Sequence, residues 1–230
     1  MRIQRFIAGR ESEDMEHYTP IYVNTSDKSV LVIGGGRVAE RKVRGLLQTE
    51  ARITVVSPLL TPTLEQLHQE SRIEWIARSY RNGDLRGAFL VYAATDDLHV
   101  NHAVVQEAEA GAILVNDAMS SGNSSFITPS VVRRGRLSIA ISTAGAGPAA
   151  AAEIRALLEQ QFGDEYETYL DFLHQMRMEI KSRGLPPTVR STLLRRLTEM
   201  DILDTIRTGQ FQWWSEEKIG NWISRNQEEM

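Results

Sequence analysis

The chain contains no cysteine. Disulfide frameworks, thiolate metal sites and cysteine nucleophiles are therefore excluded. Histidine is scarce too, with 5 in 230 residues. His99 and His102 stand three apart and could share a helix face. No third ligand lies near them in sequence, and His17, His68 and His174 are isolated. Surface or capping roles are the reading for His99 and His102, and no metal site is expected. No apolar run approaches the ~20 residues of a membrane span. The first fifteen residues are charged and lack the apolar stretch of a secretory signal, so the cytoplasm is the expected location. Positive charge is not in excess: 26 Lys and Arg face 30 Asp and Glu, a net charge of −4. That argues against nucleic acid as the partner. A serine nucleophile elbow and a P-loop lysine are both missing, so hydrolase and NTPase readings have no support. There is no internal repeat and no low-complexity tract.

What is present is organised around Val30–Lys42 (Val-Leu-Val-Ile-Gly-Gly-Gly-Arg-Val-Ala-Glu-Arg-Lys). An aliphatic run, Val30–Ile33, stops at glycine. Gly34, Gly36 and Ala39 follow in the spacing G-x-G-x-x-A, and a helix-compatible run, Val38 to Gln48, comes next. Strand, tight turn and helix are the context that gives this motif its meaning. Gly34 permits the turn, Gly36 lets a pyrophosphate approach the backbone, and Ala39 lets helix and strand pack closely. The amides and positive dipole end of that helix would face the phosphates. A tight turn that binds nothing is the alternative.

Hydrophobic residues make up 42% of the chain, enough for a real core. Tyr18–Val23 reads as a short strand after a polar extension, Met1–Glu16. Ala51–Ser57 is the second strand of the βαβ unit. Thr61-Pro62 reads as an N-cap with proline at the first helical position, opening a helix to about Glu70. Ile73–Ile76 is a short strand, and Asn82-Gly83-Asp84 a turn. Ala88–Ala94 suits a buried parallel strand. Thr95-Asp96-Asp97 caps a helix over Val100–Ala110, which Gly111 ends. Ile113–Val115 is the next strand, ending at Asn116-Asp117. Strands alternating with helices predict an α/β fold with a Rossmann-type doubly wound parallel sheet. Ligands of such sheets lie beyond the carboxyl ends of the strands. Those ends carry Gly34–Arg37, Ser57-Pro58, Thr95-Asp96 and Asn116-Asp117.

The pattern changes after Asp117. Met119–Ser124 is a Ser/Gly/Asn loop. Phe126–Val132 and Leu137–Thr143 read as strands around a hairpin turn, Arg133-Arg134-Gly135-Arg136. A flexible turn, Ala144–Pro148, precedes a helix over Ala149–Gln161. The remainder is helical by pattern, broken at Gly184–Pro187, with Trp213, Trp214 and Trp222 expected to pin the last helix by packing. Asp117, at the end of a buried strand near where a nicotinamide would lie, is the candidate for proton transfer, with turn capping as the alternative. Arg133, Arg134 and Arg136 form a cationic turn suited to a substrate with several carboxylates, with a solvated hairpin tip as the alternative.

Five motifs occur in order: Gly34–Lys42, Ala93-Ala94-Thr95-Asp96-Asp97, Val115-Asn116-Asp117, Ser125-Phe126-Ile127-Thr128-Pro129-Ser130 and Ile139-Ala140-Ile141-Ser142-Thr143. Together they resemble the siroheme synthase N-terminal module family of precorrin-2 dehydrogenases and sirohydrochlorin ferrochelatases, over about Tyr18 to Phe162. The resemblance implies an N-terminal extension over 1–17, an NAD-binding Rossmann domain over 18–125, a dimerisation segment over 126–162 and a small helical domain over 163–230, in an intertwined homodimer. It implies NAD-dependent oxidation of precorrin-2 to sirohydrochlorin in siroheme or cobalamin synthesis, with Fe²⁺ insertion in some members. Asp117 matches the aspartate proposed there as base. Gly34, Gly36, Arg37 and Val38 would line the pyrophosphate, Ser57, Pro58 and Leu59 would flank the adenosine ribose, and Thr95 would sit on the nicotinamide side. Arg133, Arg134 and Arg136, with Thr143, would bind a tetrapyrrole bearing eight carboxylates.

The sequence departs from the family pattern in three places. Ser57 replaces the acid that usually binds the ribose, so the choice of NAD over NADP comes from the resemblance. Thr143 stands where some members carry a serine reported as phosphorylated. The loop Met119–Ser124 is slightly long. A methyltransferase half does not fit within 230 residues, so uroporphyrinogen methylation is expected to belong to another protein. Three readings stay open: a dehydrogenase that also chelates, a dehydrogenase alone, and a non-catalytic module that binds NAD or a tetrapyrrole.

Overall fold

The computed structural model describes residues 18–228, which divide into two compact units, 18–128 and 129–228. The extension read over 1–17 lies outside the described residues.

In the first unit, β1 (Ser29–Ile33), β2 (Arg52–Val56), β3 (Glu74–Ile76), β4 (Leu90–Ala93) and β5 (Leu114–Asp117) form one sheet in the order β3-β2-β1-β4-β5. Every neighbouring pair is parallel. The connection from β1 runs outward to β2 and β3 and then returns to the other side of β1, so β1 and β4 meet at the switch point of the sheet. The central strands are buried on both faces, which is why Val30–Ile33 and Leu90–Ala93 are continuous apolar runs rather than alternating ones. Helix α1 (Arg37–Leu46) buries Ala39, Val43 and Leu46 in a core with Val30, Val32, Val55 and Tyr92. On the other face α3 (Leu98–Ala110) buries Val104, Val105 and Ala108 in a core with Leu31, Ile33, Val91, Ala93 and Val115. Helix α2 (Pro62–Gln69) starts as its sequence dictates: Thr61 is the N-cap, its hydroxyl accepts from Leu64 N–H, and Pro62 opens the helix.

No helix joins β3 to β4. A turn-rich segment takes its place, held by a bidentate pair from Arg78 to Asp84, both bonds 2.7 Å. Glu107 of α3 accepts from the backbone N–H groups of Gly83 and Leu85 at 2.9 and 3.0 Å and from the Tyr80 hydroxyl. A carboxylate on a neighbouring helix thus satisfies amides that a helix of their own would have paired.

Two expected strands differ. Tyr18–Val23 has no regular structure, and Ile21 and Tyr22 lie exposed; the segment lines up with no sheet edge. The strand read from Phe126 begins only at Ser130. The residues before it run beside β5 instead: Ser125 N–H donates to Val115 O, Val115 N–H to Ser125 Oγ, and Asp117 N–H to Ser124 Oγ.

The second unit opens with an antiparallel hairpin of β6 (Ser130–Arg134) and β7 (Leu137–Ile141). Arg134 pairs with Leu137, so the turn is Gly135-Arg136 rather than the four residues expected. Gly135 has φ +51°, and a Cβ there would lie 2.6 Å from Glu167 Cγ. Helix α4 (Pro148–Gln161) follows, then α5 (Glu165–Ser182), α6 (Pro187–Thr198), α7 (Ile202–Arg207) and α8 (Glu216–Glu228). Phe172, Met176, Ile180, Leu193, Leu197, Trp214, Ile219 and Ile223 form their core. Trp214 is buried there beside Trp222, whereas Trp213 is 55% exposed and leans on Phe172 and Phe211. Among the described residues no helix is long and apolar enough to cross a membrane.

Candidate functional site

The site is built at the carboxyl ends of β1, β2, β4 and β5. Gly34 leaves β1 with φ +122°, and its N–H donates to Val56 O at 2.9 Å. A Cβ at Gly34 would come within 2.3 Å of Ala94 O. The turn thus needs glycine both for its dihedral and for the close passage of the β4 end. Gly35 is constrained as tightly: a Cβ would lie 1.9 Å from Leu59 O and 2.7 Å from Ser57 Oγ. At Gly36 the situation reverses. A Cβ there would meet nothing within 4 Å, and Gly36 is the N-cap of α1 with no side chain to claim the first amides of the helix. Open space over unclaimed helix amides is what a pyrophosphate requires. The residues present therefore fit a dinucleotide.

Thr61 holds this turn from the side. Its N–H donates to Gly35 O at 2.9 Å and its hydroxyl to Glu40 Oε2 at 2.8 Å. That hydroxyl bond, aided by Arg44, keeps the Glu40 carboxyl below the usual glutamate range. The buried Ser57 hydroxyl donates to Leu59 O at 2.7 Å and shapes the loop after β2, leaving Pro58 and Leu59 exposed. Arg37 and Val38 are exposed on the first turn of α1, and Ala39 is fully buried against the sheet. After β4, the Thr95 hydroxyl donates to Asn101 Oδ1 at 2.7 Å and Asn101 Nδ2 donates back to Thr95 O at 3.1 Å. Asn101, 1% exposed on α3, fixes this loop.

Asn116 and Asp117 end β5, paired with Tyr92 and Ala93 of β4. Alternation along the strand sends Asn116 toward α1 and Asp117 toward the opposite face. Asp117 is buried, and its Oδ1 accepts from Met119 N–H at 2.9 Å. The carboxylate therefore caps its own turn while lying in the same row of strand ends as the glycine turn, with β4 between them. Lys42 reaches Asn116 Oδ1 at 2.9 Å and Thr128 Oγ1 at 3.0 Å, with its Nζ 5.0 Å from the centre of the Tyr92 ring.

The expected arginine cluster is dispersed within its own unit. Arg133 and Arg134 are consecutive on β6 and so face opposite sides of the hairpin. Arg134 Nε lies 3.2 Å from Asp164, and Arg136 pairs with Asp171 at 2.7 Å. Arg133 is exposed. Thr143 lies in the turn before α4, where its carbonyl accepts from Ala146 N–H at 2.9 Å. Among the described residues no group of three or more acidic or imidazole side chains is placed to hold a metal.

Gly35, Asn101 and Lys42 escaped the sequence reading as site residues, and Thr61 was read only as a helix cap. The glycine pattern leaves its second position free, so nothing flagged Gly35. The other three act through contacts that pattern and periodicity do not reveal.

A parallel sheet in the order 3-2-1-4-5, with a glycine turn opening onto a helix N-terminus at its switch point, defines a Rossmann-type dinucleotide-binding protein with an added helical region. Residues 21–130 match a family profile described as putative NAD(P)-binding, 134–161 one described as sirohaem biosynthesis protein central, and 166–210 one described as SirC C-terminal domain. Siroheme synthase 1 of Aeromonas salmonicida is 39% identical over 186 residues, covering 81% of this chain and 40% of that protein. Siroheme synthase of Methylobacillus flagellatus is 40% identical over 164 residues, covering 71% of this chain and 35% of that protein. The chain thus spans about two fifths of the length of these relatives. The solved structure of SirC, precorrin-2 dehydrogenase, superposes with a TM-score of 0.70 at 28% identity, covering 92% of this chain and all of that one. The chain is thus similar in turn to an NAD(P)-binding domain, a sirohaem biosynthesis central segment and a SirC C-terminal domain.

Proposed function

We propose that this protein is an NAD-dependent precorrin-2 dehydrogenase, oxidising precorrin-2 to sirohydrochlorin in siroheme or cobalamin biosynthesis. The observation that carries the reading is the open Gly36 turn at the α1 N-terminus, set in the same row of strand ends as the buried carboxylate Asp117. The likeness to SirC over nearly the whole chain supports the substrate.

NAD supplies the hydride acceptor of this reaction. The chain supplies the rest. The amides following Gly36 hold the pyrophosphate together with Arg37 and Val38. Ser57, Pro58 and Leu59 flank the adenosine ribose, and Thr95, fixed by Asn101, borders the nicotinamide side. Asp117 takes the proton that must leave as the hydride departs. Arg133, exposed on β6, together with Arg134, Arg136 and Thr143, meets the substrate's carboxylates; Arg134 and Arg136 would exchange Asp164 and Asp171 for them.

In this reading 18–125 is the cofactor domain, 126–162 a dimerisation segment and 163–230 a helical domain, in a cytoplasmic homodimer. The dimer draws support from α4, which buries none of its residues and leaves Ile154 and Leu157 exposed. Fe²⁺, as a substrate, would be inserted into sirohydrochlorin at the same cleft, with Asp117 receiving pyrrole protons.

The test is anaerobic incubation of purified protein with fresh precorrin-2 and NAD⁺, following absorbance at 340 nm and the sirohydrochlorin spectrum. NADH formed together with sirohydrochlorin is the expected result. Fe²⁺ is then added beside an enzyme-free control, and insertion above that control would establish the chelatase. Folded, NAD-binding protein that yields neither NADH nor product would overturn the dehydrogenase and leave a binding module.

A further inference from the structure

Lys42 is a lysine in an unusual place. It sits in the second turn of α1, the helix whose first turn closes the glycine motif, and points across the sheet face to the end of β5. Its hydrogen-bond partners are neutral: Asn116 Oδ1 at 2.9 Å and Thr128 Oγ1 at 3.0 Å. The Tyr92 ring lies 5.0 Å below the ammonium, and Phe126 packs edge-on against that ring with centroids 5.4 Å apart. Among the described residues no carboxylate is ion-paired with it. A solvated helix lysine has no need of such partners; a surface ion pair would also have used an acid.

Those partners converge on one segment. Asn116 is buried and both ends of its amide are engaged, Oδ1 by Lys42 and Nδ2 by Phe126 O at 3.0 Å. Thr128 lies two residues past Phe126. The same stretch sends Ser125 and Ser124 back to the backbone of Val115 and Asp117. Lys42 is thus the one side chain of α1 that grips both β5 and the segment running beside it.

We propose that Lys42 is a positioning residue, whose ammonium, shared between Asn116 and Thr128, holds the end of β5 and residues 124–128 in the arrangement that presents Asp117 to the cleft. The inference rests on the dehydrogenase reading for its effect on turnover but not for its effect on the fold. The cofactor turn itself is held elsewhere, by Thr61 and by the ends of β2 and β4, so Lys42 governs the chemistry more than cofactor binding.

The charge on Lys42 is held against opposition. Burial, with Arg41 alongside, brings its pKa down from the ordinary 10.5 to about 8. The titratable or charged groups that face it are Arg41 on its own helix and Tyr92 on β4, whose phenol burial pushes upward; from β5 and the 124–128 segment only neutral Asn116 and Thr128 reach it. Between about 8 and 10.5 the unfolded chain keeps a proton that the folded chain releases, so this group's contribution to stability rises with pH through that window and is unfavourable below it. A charge retained at such a cost is expected where function needs it.

The experiment compares wild type, K42M and K42R. K42M is expected to lose kcat roughly 100-fold, the scale of a misplacement of about 1 Å, with unchanged NAD⁺ affinity. K42R, which keeps a cationic donor at the same place on the helix, should recover most of that turnover. K42M with wild-type turnover, or K42R as slow as K42M, would overturn the proposal. Hydrogen exchange is the arm that does not depend on activity. Protection of the Val115 and Asp117 amides, which Ser125 and Ser124 receive, should be lower in K42M than in wild type and be restored in K42R. If no variant oxidises precorrin-2 yet this exchange pattern appears, the dehydrogenase reading fails and the positioning role stands. Protection that is the same in all three proteins sinks the role, even in an active enzyme.

Discussion

Thr61 and Glu40 are joined by a hydrogen bond of 2.8 Å, from the hydroxyl that caps α2 to a carboxylate on α1. One threonine therefore starts a helix, steadies the neighbouring helix and, through its N–H, holds the carbonyl of Gly35. Replacing it with alanine removes the cap and the tie together. T61A should lose about 1–2 kcal/mol in urea unfolding, the usual worth of a threonine cap, and should also weaken NAD⁺ binding because the glycine turn loses its lateral support.

The same pair has a pH signature. The Glu40 carboxyl is held below its usual range, first by Thr61 and then by Arg44. A depressed carboxyl adds stability above its unfolded pKa, and that stability is lost as pH falls through the folded value. Thermal melts from pH 7 down to pH 3 should show E40Q losing less stability on acidification than wild type. Parallel curves would refute the coupling.

The three glycines should part company under mutation. G34A and G35A each drive a methyl into backbone oxygen, at 2.3 and 1.9 Å, and should fail to fold or melt far below wild type. G36A meets nothing within 4 Å and should keep its melting temperature while losing NAD⁺ affinity, measured by calorimetry. A G36A protein that binds NAD⁺ normally would remove the phosphate cradle from this turn.

Asp117 can lose its charge and keep its turn, because an asparagine oxygen still accepts the Met119 N–H that Asp117 Oδ1 takes at 2.9 Å. D117N should fold and bind NAD⁺ as wild type does, and oxidise precorrin-2 about 10²–10⁴-fold more slowly, the range of a lost general base. Wild-type turnover in D117N would transfer the proton to solvent or to the substrate itself.

Asn101 offers a test of the β4 loop. It accepts from Thr95 at both N–H and hydroxyl and donates back to the Thr95 carbonyl, all inside a buried site. N101L should cost about 1–3 kcal/mol, the penalty for leaving buried polar groups unpaired, and should raise the KM for NAD⁺ by loosening Thr95.

The sheet and the residues at its carboxyl edge were legible because their signals are local. Continuous apolar runs marked β1 and β4, Thr61-Pro62 marked the start of α2, and Gly34 and Ala39 sat at the spacing their geometry requires. The doubly wound parallel sheet and the ranges of α1 to α4 followed from that, whereas the spatial order of the strands and the bounds of α5 to α8 did not. Long-range chemistry was hidden. Nothing at position 107 announces that a glutamate will stitch the β3–β4 connection, and nothing at 42 that a lysine will reach 74 residues along the chain to Asn116. Tyr18–Val23 misled for the opposite reason: its composition suits a strand, yet a strand exists only where an edge receives it. The arginine hairpin differed in register. Four residues read as a turn became two, and the shift set Arg133 and Arg134 on opposite faces.

The outer margin of β5 is closed by hydroxyls. The outward amides of Val115 and Asp117 are taken by Ser125 and Ser124, and Val115 O by the Ser125 amide. An uncovered strand of this kind is a template on which another chain can polymerise. The two serines stand where such a chain would add, and they present no strand of their own to extend. Resistance to strand addition at this edge is thus written partly into a loop that composition alone marks as mere linker.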